Sequence, residues 1–77
     1  LKIDPNHYLT NLLYGRLLFL ERHPQQALPK LLLAAKLEPD FREPHRFLAD
    51  YYEAMNQPQK AARERELAVK GKAGELP

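Results

Sequence analysis

The apolar residues of this chain recur at helical spacing in four stretches, each closed off by proline or glycine. In the first, Leu9, Leu12, Leu13, Leu17 and Leu20 fall three and four residues apart, which predicts a helix over about 7–22 with Asn6 as its N-cap after Pro5. Tyr8, Tyr14, Leu18 and Phe19 carry apolar surface around most of that helix, and a helix of this kind needs partners on several sides. Gly15 costs about 1 kcal/mol against Ala in a helix interior, so the pattern predicts another backbone passing close to it.

His23-Pro24 breaks the first helix, and Ala27, Leu28, Leu31, Leu32, Ala34, Ala35 and Leu37 predict a second over about 25–37. Pro29 fits if it lies in the first turn, where its missing N–H has no intrahelical partner. Otherwise the helix starts late or kinks. After Pro39, Asp40 and Glu43 have the spacing of a capping box, Pro44 suits a first turn, and Phe47, Leu48, Tyr51, Tyr52 and Met55 give the stripe of a third helix over about 41–56. The fourth, about 59–71, has small apolar residues, Ala61, Ala62 and Ala68 with Leu67 and Val69, among charges. Such a helix covers a core without inviting another layer. Gly71, Gly74 and Pro77 read as its stop and a loose tail.

The landmarks repeat at one fixed interval, from Pro5 to Pro39 and from Pro24 to Pro58. Their neighbours repeat with them. Lys2-Ile3-Asp4-Pro5-Asn6 answers Lys36-Leu37-Glu38-Pro39-Asp40, and Pro24-Gln25-Gln26-Ala27 answers Pro58-Gln59-Lys60-Ala61. A period of about 34 residues marks helical hairpins that stack because one alone cannot bury its apolar face. The chain divides accordingly into 1–6, the end of a preceding unit; 7–40 and 41–72, two full units; and 73–77, a tail. Since roughly three units are usual for a stable stack, the pattern predicts a segment of a longer array.

Composition narrows the chemistry. The 77 residues are 44% hydrophobic and 29% charged, which suits a folded domain. No cysteine is present, which excludes disulfides and thiolate metal sites, and no apolar run reaches the roughly 20 residues of a membrane span. The net charge of +2 is too small to imply a nucleic-acid or membrane partner. His7, His23 and His45 lack metal-ligand spacing, and His7 and His23 flank helix ends, where capping or solvation suits them. No Gly-rich phosphate loop or activated nucleophile is evident, the chain has no Ser, and no enzyme activity, cofactor or metal is expected.

With its period and landmarks the chain resembles the tetratricopeptide repeat (TPR) family, whose unit reads W-x2-L-G-x2-Y, then A-x3-F, then P. Gly15, Ala27 and Pro39 fall on the family's glycine, alanine and proline, with Tyr14, Leu18 and Leu31 as apolar substitutes, while Asn11 replaces the Trp. The second unit matches at Leu48, Tyr52 and Ala61, has Ala49 for the glycine, and departs at Arg65 and Ala73. The resemblance implies an all-α fold, an α-solenoid of stacked antiparallel helix pairs with about four helices here, that binds a peptide or partner protein. It also implies a groove lined by the first helix of each pair: Leu9, Leu12, Arg16, Phe19 and Leu20, then Glu43, Arg46, Asp50 and Glu53. The alternative is that Leu9, Leu12 and Phe19 pack against a preceding repeat; self-association through the apolar first helix is a further expectation. One TPR subfamily clamps carboxylates with Lys, Asn and Arg. Leu12 and Asp50 stand where its lysine and asparagine belong, so Arg46 is expected to pair with Asp50 or Glu43 instead. Two other readings stay open: a docking segment of a larger enzyme, and an RNA-binding helical array of the pentatricopeptide kind, which prefers a slightly longer unit and polar readers.

Overall fold

A computed structural model describes residues 7–73. These form four helices, α1 (Tyr8–Leu20), α2 (Pro24–Leu37), α3 (Arg42–Ala54) and α4 (Pro58–Lys70), with no strand among the described residues. The expected preceding-unit end at 1–6 and the tail positions Gly74 and Pro77 lie outside them. α1 packs along α2 and α3 along α4, and the two pairs meet chiefly through α2 and α3, with a lighter contact between α1 and α3. No described helix is long and apolar enough to cross a membrane.

The helix ends repeat as the sequence does. From Tyr8 to Arg42, where α1 and α3 begin, the chain advances by one sequence period, and from Pro24 to Pro58, where α2 and α4 begin, by the same amount. Both within-pair turns place a non-glycine residue at positive φ, Arg22 at 66° and Asn56 at 60°, again one period apart. Around each, the same pair of bonds closes the helix. Arg22 N–H donates to the Phe19 carbonyl at 3.1 Å and His23 N–H to that of Leu18 at 2.8 Å, while Asn56 and Gln57 do the same to Glu53 and Tyr52 at 3.1 and 2.8 Å. This is the Schellman arrangement, which favours Gly at the left-handed position and tolerates Asn. Arg22→Gly is therefore expected to raise stability by about 1 kcal/mol and Asn56→Gly by less, both read as shifts in the urea midpoint.

The other ends differ from expectation. His7, not Asn6, caps α1: its Nδ1 accepts from the Thr10 N–H at 3.1 Å, and its carbonyl accepts from the buried Asn11 amide at 2.8 Å. α2 starts at Pro24, which puts Pro29 inside the helix beyond the first turn, where it leaves the Gln25 carbonyl without its usual donor. Asp40 and Glu43 form no capping box, because Phe41 is the N-cap of α3 and makes no side-chain cap bond. The backbone after α4 fills that role. Lys72 N–H donates to the Asp40 carbonyl and Arg42 N–H to the Lys72 carbonyl, each at 2.9 Å, so an exposed strap satisfies an otherwise orphaned N–H at the start of α3. Tyr8 packs edge-on against Phe41 with ring centroids 5.1 Å apart, and Lys72 Nζ lies 5.6 Å over the same ring.

Leu12, Leu31, Ala34, Leu48 and Tyr51 form the core, contributed by α1, α2 and α3. α4 contributes only the buried alanines Ala61 and Ala68, in keeping with its covering role. Gly15 is buried, but what approaches it is not backbone: a Cβ there would meet the Leu31 side chain at 2.9 Å and Lys30 Cβ at 3.1 Å. Buried His45 fastens the second pair, with Nδ1 2.7 Å from Glu64 Oε1 on α4 and Nε2 3.2 Å from the Pro39 carbonyl oxygen. Nearby, burial pushes the Tyr52 phenol up from 10.0, and the Glu64 carboxylate and Tyr51 push the same way. The folded chain thus holds this proton more tightly than the unfolded one. That contribution is complete below about pH 10 and is lost as pH rises through the folded value. Urea midpoints measured between about pH 8 and about pH 11 should fall, and fall less steeply in Tyr52→Phe.

Candidate interaction surface

α1 and α3 lie side by side, and a cleft of about 220 Å³ opens between them, lined by Arg16, Phe19 and Leu20 of α1, Leu31 of α2, and Arg46, Phe47 and Asp50 of α3. Five of the nine groove residues expected from the sequence, Arg16, Phe19, Leu20, Arg46 and Asp50, therefore share one wall or the other. Leu31 and Phe47 are additions that the sequence reading lacks. Leu31 reaches the floor from the second helix of its pair, and Phe47 is the half-buried residue against which Arg16 lies, its guanidinium carbon 5.3 Å over the ring. Phe19 extends the aromatic wall inward, with its ring centroid 6.3 Å from that of Tyr51.

The other four expected residues stand elsewhere. Leu12 is fully buried, a core residue and not a surface one, because its face of α1 turns toward α2 and α3. Leu9 is half-buried and packs on the same core. Glu43 is buried in the first turn of α3, with Arg42 Nε 3.8 Å from its carboxylate. Glu53 is exposed and accepts from Arg65 Nη1 at 3.1 Å across to α4, a solvated pair worth little by itself. The expected pairing of Arg46 with Asp50 or Glu43 is not formed within 4 Å.

The cleft is open and smaller than the roughly 300–1,000 Å³ of small-molecule sites, a size that suits one or two side chains of a polypeptide. Its rim combines Leu20, 64% exposed, with two guanidinium groups and one carboxylate, all solvent-facing. A larger cleft of about 440 Å³ lies on the outer side of α3 and α4, lined by Arg42, Arg46, Ala49, Asp50, Arg65, Ala68 and Val69. Arg46 and Asp50 form the ridge between the two. His7 and His23 sit exposed at helix starts, apart from His45, and no group of three or more His, Asp or Glu able to hold a metal occurs among the described residues.

Comparison of the chain with family models, curated proteins and solved structures finds no match.

Proposed function

We propose that this chain is a protein-interaction module, a TPR-type α-solenoid segment that binds a peptide or partner protein through the cleft between α1 and α3. The observation that carries the reading is the recurrence, at the sequence period, of helix starts and of the left-handed turns at Arg22 and Asn56. It is the backbone counterpart of the repeated prolines. The cleft supports it further. An exposed leucine beside an arginine stacked on an aromatic ring offers an apolar seat with a fixed cation, the complement of an amphipathic helix carrying an acidic residue beside its apolar stripe. The carboxylate of Asp50 set among the guanidinium groups of Arg16 and Arg46 on the rim favours a polypeptide over a polyanion, since phosphate binding draws on clustered charge of one sign.

The test is selection of helical peptides from a displayed amphipathic library on the 77-residue chain, followed by titration against variants. Saturable binding that falls at least tenfold in Leu20→Glu and in Arg16→Glu supports the cleft. Binding unchanged by both substitutions, or no saturable binding, refutes it.

A further inference from the structure

The two long walls of the α1–α3 cleft run the same way. Arg16 of α1 lies over Phe47 of α3, and one turn further the Phe19 ring faces that of Tyr51, so residue numbers rise together along both helices. Charge changes sign in that direction. Arg16 and Arg46 stand at one level of the cleft, and Asp50 follows one turn later, at the level of Leu20. Because α1 ends at Leu20 and α3 at Ala54, the carbonyl ends of both helices, which are the negative ends of their dipoles, lie on the Asp50 side. On its closed side the same pair of helices already holds an occupant. α2 packs against both α1 and α3, returns through the turn at 21–23 and so runs antiparallel to both, with Leu31 on the cleft floor.

We propose that the partner is an amphipathic helix of another protein that lies in the open side of the cleft antiparallel to α1 and α3, with a basic residue at Asp50 and, four residues later in its own sequence, an acidic residue between Arg16 and Arg46. The inference rests on the peptide-binding role proposed for the cleft and adds a direction and a charge order to it. In this direction the N-terminus of the partner helix, the positive end of its dipole, faces the carbonyl ends of both walls. A helix running the other way can match the side-chain charges, but it sets its dipole against both. A second copy of this chain does not supply the segment. Within the four helices a basic residue precedes an acidic one by four places at Arg46 and Asp50, which are the cleft itself, and at Lys60 and Glu64, whose carboxylate is held by His45 at 2.7 Å.

The experiment titrates the 77-residue chain with two alanine-rich helical peptides of about 16 residues, about 24 Å long. Both have the same composition and leucine stripe; one carries lysine and then glutamate four residues later, the other carries them in the opposite order, and each bears a nitroxide at its N-terminus. The lysine-first peptide is expected to bind tighter by about fivefold or more. Its nitroxide should quench the amide signals of Glu21 and Met55, at the ends of α1 and α3, more than those of Arg42 and Glu43. Asp50→Lys should weaken that peptide about fivefold and Asp50→Asn less, and a peptide with glutamate in place of the lysine should recover the loss on Asp50→Lys. Equal or tighter binding of the glutamate-first peptide, stronger quenching at Arg42 and Glu43, or indifference to Asp50→Lys overturns the inference, while the cleft reading stands if Leu20→Glu and Arg16→Glu still weaken binding. No saturable binding of either peptide, or binding that both of those substitutions leave unchanged, overturns the cleft reading and this inference with it. A dimer of the chain alone in light scattering that Arg16→Glu dissociates overturns the inference as well, by making a second copy the occupant.

Discussion

Leu31→Ala is expected to lower the unfolding free energy by about 2–5 kcal/mol, the range for emptying a leucine site in a packed core. Leu31 is fully buried and joins the three helices that build the core. It leaves α2, lies against α1 at Gly15, and meets the core residues Leu48 and Tyr51 of α3. Because the wall at Gly15 is bare helix backbone, it has no side chain to swing into the hole, and collapse should be incomplete. For a chain of this length total stability is on the order of 4–12 kcal/mol, so the loss is a large fraction of it and the urea midpoint should fall markedly. A second substitution makes the geometry specific. Gly15→Ala alone forces a methyl to within 2.9 Å of Leu31 Cδ2, which offsets the helix-propensity gain of about 1 kcal/mol. In the Leu31→Ala background the same methyl enters vacated space. The double variant should therefore be more stable than the sum of the two single effects predicts by about 1 kcal/mol, measured by urea unfolding of all four proteins.

Gly71→Ala should cost about 1–3 kcal/mol by forced displacement of packed groups. The reason is contact and not conformation, since φ there is −77°, which any residue adopts. A Cβ at Gly71 would stand 2.9 Å from Arg42 Cα and 3.0 Å from Arg42 N. Backbone cannot rotate away as a side-chain tip can. The relief available is to lift the strap off the start of α3, which breaks the two 2.9 Å bonds between Lys72 and the 40–42 segment. Hydrogen exchange at the Arg42 and Lys72 amides should accelerate in this variant more than exchange in the middle of α1. Equal acceleration everywhere would mean that the strap does not open locally.

What is legible in the sequence, and what is not, divides along a physical line. Prolines and turn residues act through local backbone geometry, so Pro24, Pro39, Pro44 and Pro58 mark the observed helix boundaries to within a few residues. Features that depend on a neighbour distant in sequence are hidden. The strap from Lys72 replaces a side-chain cap that Asp40 and Glu43 have the right spacing to form, and nothing in a local pattern discloses a donor and acceptor supplied from beyond α4. His45 reads as one of three isolated histidines until folding sets it between Glu64 and Pro39. The faces of α1 are the hardest case. With apolar residues on almost every side, its sequence has no polar stripe to say which leucines point outward, so Leu12 groups with the groove residues while nothing marks Leu13 and Leu17 as exposed. Reading α1 against α3 position by position, as Leu13 with Phe47 and Leu17 with Tyr51, is the available signal.

The measurement that bears most directly on the interaction reading is an NMR titration of the isotope-labelled chain with a selected amphipathic peptide. Amide and methyl shift changes are predicted to concentrate at Arg16, Leu20, Arg46, Phe47 and Asp50, on both walls of the α1–α3 cleft, with Leu67 and Val69 of α4 unaffected. Changes centred on α4, or spread evenly over the molecule with no concentration in the cleft, would contradict it.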